Sequence, residues 1–380
     1  LMAMAFWLYY RLRHISTPVI SYLGLICFWI AYEYLHQSWD LAFPWMNLGN
    51  GFAHTHQLVQ WYQYTGVYGG TLWVLGTNIL VFEMYRRFKS MTLRTRSHRA
   101  ILLSVVSLWI LAPIIISITM YTGYQEKSSP ANVVVVQPNI DPYMKYGGIS
   151  LAQQLQNLIH LSDSVGQPNT EYFIWPETAI PVFCDEDNLR THESYLTIRQ
   201  WLRKYKHGHV ISGLESYLQY DTAQTITAHF DEASKKYFDH FNTAVQIENT
   251  PKVQFYHKSL LVPGVEKLPF ASLLGFMKPI FAGFGGSTGG YGTQDKPGVF
   301  YSQTGIGAAP VICYESIWGG YVAEYVKQGA QLITIITNDG WWGNTSGKDQ
   351  HLEYAKLRAI ENRRWVARAA NTGISAFINQ

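Results

Sequence analysis

Charged side chains make up only 14% of the 380 residues, and lysine plus arginine exceed aspartate plus glutamate by 29 to 26. So slight a surplus, gathered in local clusters, excludes the long basic stripe that follows a nucleic-acid backbone. Cysteine is scarcer still: Cys27, Cys184 and Cys313, none in a CxxC pair. That spacing offers neither a zinc site nor a disulfide framework, although a single Cys184–Cys313 bridge stays open. No metal or cofactor is expected, and no internal repeat or low-complexity tract occurs. What the chain has in quantity is apolar surface, 48% hydrophobic and 15% aromatic residues, more than a soluble enzyme needs, so part of it is expected to meet lipid.

Three apolar stretches lie in the first third, at about 17–36, 64–84 and 100–122. Each is close to the roughly 20 residues that cross a bilayer. The opening LMAMAFWLYYRLRH reads as the end of another membrane helix, with more expected upstream. Arg11, Arg13 and His14 precede the first span, and Arg86, Arg87, Lys89, Arg94, Arg96 and Arg99 fill the second connection, whereas residues 37–63 contain no lysine or arginine. By the positive-inside rule the basic loops face the cytoplasm, so residues after about 123 are expected on the opposite side. Pro44, Trp45, Trp61 and Tyr62 then form an interfacial belt, and Glu33 and Glu83 are expected to snorkel to the membrane surface.

From residue 124 onward short β-rich runs alternate with helical stretches. The runs are 132–138, 171–177, 209–215, 242–248, 252–258, 307–315, 331–339 and 374–379; the helices are expected at 150–165, 192–206, 318–329 and 350–364. The first, sixth and seventh runs read as fully buried strands. The pattern predicts a layered α/β domain of two sheets covered by helices. Residues 264–298 break it with apolar anchors among many glycines, and read as a mobile arm.

Ligands gather beyond the carboxyl ends of strands in such domains, and Glu177, Lys258 and Cys313 each close one of the runs. Singly, each residue type has a commonplace use as cap, surface charge or core filler. Together they supply a base, a cation and a thiol, which is what nucleophilic attack through an oxyanion requires. A cysteine–histidine arrangement is the weaker alternative, since no histidine adjoins Cys313 in sequence. Tyr314 and Glu315 follow the thiol and are read as orienting it, Glu315 alternatively pairing with Arg363, Arg364 or Arg368. Trp341 and Trp342 either line the pocket or pack in the core.

WPET (175–178), YHKSLLVPGVE (256–266), ICYES (312–316) and TNDGWWG (337–343) resemble, in order and spacing, the motifs of the carbon–nitrogen hydrolase, or nitrilase, superfamily. The resemblance covers about residues 131–380 and implies a nitrilase-like α-β-β-α sandwich. It places the superfamily's Glu-Lys-Cys triad on Glu177, Lys258 and Cys313, with Glu266 as a supporting carboxylate. With membrane helices ahead of it, and AFPWMNLG (42–49) in the loop between them, the chain is most similar to the apolipoprotein N-acyltransferase family. Leu260 and Gly264-Val265 depart from that family's pattern. The resemblance implies a bacterial inner-membrane enzyme with its catalytic domain in the periplasm, and a further membrane helix after residue 380. It also implies a phospholipid acyl donor, a thioester on Cys313 and the N-terminal amine of a diacylglyceryl apolipoprotein as acceptor. Leu268, Phe270, Leu273, Leu274, Phe276, Met277, Ile280 and Phe281 in the arm are then expected to touch the bilayer and gate entry. A membrane-tethered amidase or nitrilase, in which water resolves the thioester, shares the same triad. A scaffold or transporter subunit with a degenerate domain is the more distant alternative.

Overall fold

A computed structural model describes residues 1–90, 95–126, 129–145, 147–225, 227–274, 276 and 290–379. The chain divides into two compact units, residues 1–127 and 128–380.

The first unit is helical: α1 (Met2–Ile15), α2 (Pro18–His36), α3 (Tyr62–Lys89) and α4 (Arg96–Gly123). The last three are long and apolar enough to cross a membrane. Their boundaries follow local chemistry. Thr17 caps α2 by accepting from the Ile20 N–H, with Pro18 at the first helical position, where a missing N–H costs nothing. Gly66, at φ +59°, breaks α3 near its start. Large apolar side chains such as Leu108 and Ile115 on α4 stand exposed, as a lipid-facing helix requires. Arg94, counted in the basic loop, lies outside the described residues.

Glu33 does not snorkel. It is 3% exposed. Its Oε1 accepts from Trp29 Nε1 at 3.0 Å and from the Leu48 N–H at 2.8 Å, and its Oε2 accepts from Thr71 Oγ1 at 2.7 Å. The carboxylate thereby fastens α2 to α3 and to the 3-10 turn Leu48–Leu58. A carboxylate buried among apolar helices is tolerated only where donors converge on it in this way. Glu83 is partly exposed and accepts from Arg86 Nη2 at 2.8 Å and from Tyr22 Oη at 2.6 Å.

The second unit holds two sheets. One contains β1 (Asn132–Val135), β2 (Thr170–Ile174), β3 (Ile180–Asp185), β4 (His209–Tyr220), β5 (His229–Asp231), β6 (Lys236–Glu248) and β7 (Val253–His257), in the order β1-β2-β4-β6-β5, with β3 pairing β4 and β7 pairing β6. The other contains β8 (Phe300–Tyr301), β9 (Gly307–Ile312), β10 (Leu332–Thr337), β11 (Trp365–Ala370) and β12 (Ala376–Ile378), in the order β12-β11-β10-β9-β8. Alternation along the strands assigns each face. Tyr172, Ile174, Ile211 and Ala244 turn toward the second sheet and share a core with Ala309, Val311, Ile333 and Ile335. Their neighbours Phe173, Val210 and Val245 point the other way, onto α5 (Leu151–Val165) and α6 (Glu193–Leu202) through Leu158, Ile198 and Leu202. Helices Gly319–Lys327 and Gly347–Asn362 contribute Val322, Tyr325, Ala355 and Ala359 to the first core. The result is the expected α-β-β-α sandwich.

Three details differ from expectation. β1 is half-buried, because it lies at a sheet edge with β2 as its one partner. The run 307–315 ends as a strand at Ile312 and continues as a 3-10 turn, Cys313–Ile317. Residues Trp365–Ala370 form a buried parallel strand, since Arg368 is neutralised within it by Asp339 at 2.8 and 3.0 Å. Of the arm, both ends are fastened: Glu266 Oε2 accepts from the Val262 N–H at 2.8 Å, and the Gly292 N–H donates to the His240 carbonyl at 2.7 Å. Met277, Ile280 and Phe281 lie outside the described residues.

Glu33→Leu strands three buried donors, and is expected to lower the stability of the helical unit by about 1–3 kcal/mol. Glu33→Gln, which keeps an acceptor, should recover part of that. Thermal unfolding in detergent checks both; equal stability of Glu33→Leu and wild type would remove the role given to this carboxylate.

Candidate active site

Cys313 follows β9 directly and takes a left-handed φ of +48°. A non-glycine residue in that region is strained, and the sharp turn lifts its side chain off the strand end. The main-chain carbonyl of Cys313 accepts from Ser316 Oγ at 2.8 Å and lies 3.1 Å from His351 Nε2. The other ring nitrogen of His351 is 3.1 Å from Asp339 Oδ1, so the Arg368–Asp339 pair underpins the elbow through one imidazole. Burial keeps that imidazole below its ordinary range, hence neutral. No disulfide forms: all three cysteines are free.

Glu315 is fully buried. Its Oε2 accepts from the Ile312 N–H at 2.9 Å. Its Oε1 accepts from Tyr256 Oη at 2.6 Å and from the Ser259 N–H at 2.7 Å. One carboxylate thus ties the turn carrying Cys313 to the end of β7, where Lys258 sits. It pairs with none of Arg363, Arg364 or Arg368. Burial raises its pKa to about 7, against these hydrogen bonds. Tyr314 is buried edge-to-face on Trp318 at 4.6 Å.

Lys258 is 1% exposed. Its Nζ donates to Glu266 Oε1 at 2.7 Å and to Glu177 Oε1 at 3.4 Å. Burial disfavours the ammonium, yet Glu266 and then Glu177 outweigh it and hold the lysine charged, well above its ordinary range. Asn242 on β6 donates from Nδ2 to the same two oxygens, at 2.9 Å to Glu177 and 3.1 Å to Glu266. Its amide thereby bridges the two carboxylates.

Glu177 is buried three residues beyond β2, in a turn whose next residue, Thr178, has φ +46°. The turn presses against β4: a Cβ on Gly213 would lie 2.3 Å from the Thr178 nitrogen and 2.7 Å from Glu177 Cα. The Gly213 N–H donates to the Pro176 carbonyl at 3.0 Å.

These groups act on one thiol. Burial, and next the charge of Glu177, push the Cys313 pKa upward, while Lys258 and a hydrogen bond with Thr337 oppose the rise. Carboxylate, ammonium and thiol therefore interact in one place, and the raised pKa keeps the resting sulfur protonated. Trp341 and Trp342 lie four and five residues past Thr337. Trp341 is exposed with its ring edge-on to Tyr143 at 5.7 Å, and Trp342 packs against Gly347, so they are not a core pair. Leu268 and Phe270 are half-buried, whereas Leu273 and Phe276 are exposed. Two contributors carried no sequence signal of their own. Asp339 and Lys145 act through contacts with residues distant in the chain, and only the TNDGWWG stretch around Asp339 was visible beforehand.

Two sheets in this order, with strand ends bearing Glu177, Lys258 and Cys313, define a nitrilase-type domain. The chain belongs to the carbon–nitrogen hydrolase family, whose model matches residues 132–380. Residues 1–80 match a second model, the apolipoprotein N-acyltransferase N-terminal domain. The chain is similar to the apolipoprotein N-acyltransferases of Chlorobaculum tepidum, with 30% identity over 93% of this chain and 66% of that protein, and of Geobacter metallireducens, with 26% identity over 92% and 63%. It spans about two thirds of the length of these curated relatives. Among solved structures, Saccharomyces cerevisiae Nit3, a member of branch 10 of the nitrilase superfamily, aligns over 66% of this chain and 82% of its own at 15% identity, with a TM-score of 0.43.

Gly213→Ala forces the Glu177–Thr178 backbone to move, and misplacement of a reacting group by about 1 Å can cost about 100-fold. Alkylation of Cys313 by iodoacetamide, followed on the Cys313 peptide to separate it from exposed Cys27, is expected to slow by about that factor. An unchanged rate would show that the turn does not position Glu177.

Proposed function

We propose that the protein transfers an acyl chain from a phospholipid, through a thioester on Cys313, to the N-terminal amine of diacylglyceryl-cysteine on an apolipoprotein. The observation that carries this reading is a half-buried thiol coupled to Glu177 and Lys258 in a chain that also carries three membrane-length helices and resembles N-acyltransferases along most of its length. By the charge of its loops, residues after 123 face away from the cytoplasm.

The chemistry follows from the protonation states. A thiol with a raised pKa is a poor nucleophile until a base takes its proton as the S–C bond forms. Both hydrogen bonds that the Glu177 carboxylate accepts among the described residues fall on Oε1, leaving Oε2 to receive that proton. Cys313 Sγ attacks the ester carbonyl, and the oxyanion forms beside the permanently charged Lys258 and the Tyr314 N–H. Collapse breaks the ester C–O bond, Glu177 returns the proton to the departing lysophospholipid, and a thioester remains. The acceptor amine then attacks the thioester, Glu177 takes its proton and passes it to the leaving sulfur, and an amide is formed. Glu266 and Asn242 hold Lys258 and Glu177 in register, and Glu315 fixes the distance between the Cys313 turn and the Lys258 strand end. Exposed Leu273 and Phe276, with half-buried Leu268 and Phe270, form the described part of a lipid-facing entrance; Trp341 stands at the rim of the pocket.

Incubation with phospholipid should add one acyl mass to the intact wild-type protein and none to Cys313→Ala. Lys258→Met is expected to reduce adduct formation about 100–1,000-fold, the usual loss for one oxyanion donor. Absence of a wild-type adduct would defeat the reading, and rapid release of free fatty acid without an amine acceptor would favour the hydrolase instead. Leu273→Ser combined with Phe276→Ser should slow turnover on vesicles while sparing a short-chain soluble ester; equal rates on vesicles would remove the entrance.

A further inference from the structure

Lys145 contacts the turn that carries Glu177, and the mechanism above gives it no part. It is 4% exposed. Its Nζ donates to Thr178 Oγ1 at 2.6 Å and to the Glu177 main-chain carbonyl at 3.4 Å. Among the described residues no carboxylate lies within ion-pair distance of it. A buried ammonium bonded only to neutral oxygens is a costly occupant of a protein interior, where an apolar side chain of similar length would be cheaper to hold. Its main chain is fastened as well: Gln154, buried on α5, donates from Nε2 to the Lys145 carbonyl at 2.7 Å and to the Ile149 carbonyl at 2.9 Å.

We propose that Lys145 is a positioning residue for the acyl transfer: its ammonium grips the Glu177–Thr178 turn from the loop that precedes α5, and so aims the Glu177 carboxylate at the Cys313 thiol. The inference rests on Glu177 being the base. Three features of the turn call for such a grip. Thr178 is strained at φ +46°, Gly213 presses on the turn from β4, and the Thr178 hydroxyl and Glu177 carbonyl both point at one cation. The charge also offsets one of the two carboxylates that crowd Lys258.

The grip depends on pH. Burial brings the Lys145 pKa down to about 8, while the charges facing it, Glu177 and Glu215, pull the other way. Below about pH 8 the ammonium is present; as pH rises through that value the cation and both its hydrogen bonds weaken. Lys145 lines a cavity of about 430 Å³ bounded by the 147–151 turn and Gln154, which admits the water this deprotonation needs.

The test is the rate of acyl-adduct formation on the purified full chain, measured against pH with phospholipid as donor. Wild type is expected to lose rate above about pH 8. Lys145→Arg, which stays charged, should carry its plateau to higher pH, and Lys145→Met should lower the plateau about 10–100-fold without changing the donor concentration at half-maximal rate. Wild-type behaviour of Lys145→Met, or an alkaline limb in Lys145→Arg that coincides with wild type, overturns the proposal; the arginine variant decides if the methionine variant does not fold. Glu177→Gln separates the two levels. If it is inactive while Lys145→Met is normal, the base assignment stands and the positioning role falls. If it forms adduct at the wild-type rate, both fall.

Discussion

A lysine ammonium with almost no contact with water is the constraint around which this site is built. Lys258 can remain charged there only because two carboxylates are brought to it, Glu177 from beyond β2 and Glu266 from the loop after β7, and the Asn242 amide on β6 donates to both of them. Each of those residues has to be held in turn. Glu266 is fixed by the Val262 N–H, Asn242 by the long β4–β6 ladder, and Glu177 by a turn that only a glycine on β4 leaves room for. Breaking one partner of such a group leaves an uncompensated buried charge, which is why the loops here are as rigidly specified as the strands.

The sandwich supplies what loops alone could not. Alternating side chains bury both faces of the first sheet, so a one-residue slip in β2 would exchange Tyr172 and Phe173 between two cores and carry Glu177 out of register. Strand register and site geometry are therefore the same constraint. The second sheet contributes through β9 and β10, whose parallel pairing brings Thr337 beside the Cys313 elbow. Behind them Arg368, Asp339 and His351 form a buried polar column under the nucleophile.

Much of this was legible in the sequence, for identifiable reasons. The spans Pro18–His36, Tyr62–Lys89 and Arg96–Gly123 were visible because lipid requires unbroken apolar length. Strand ends were visible where β-branched runs meet a polar residue, which is how Glu177, Lys258 and Cys313 stood out. β11 was hidden because its arginine reads as solvent-facing until Asp339, 29 positions earlier, is known to meet it. Residues Ile180–Asp185 were hidden because Pro181 weakens a strand pattern that β4 nonetheless completes. Lys145 was mute for a similar cause. Its partner Thr178 lies 33 positions away, and no local pattern encodes a contact at that range.

The raised pKa of Cys313 has a consequence outside catalysis. Oxidants attack the thiolate rather than the thiol, and susceptibility follows thiolate character and exposure. A sulfur kept protonated and half-covered at the end of β9 is slow to enter the path toward sulfenic and sulfinic acids. On the proposed mechanism Glu177 takes the proton only as an electrophilic carbon is engaged, so the sulfur stays dormant toward dissolved oxidants. The same burial that makes the thiol hard to ionise slows its loss to oxidation.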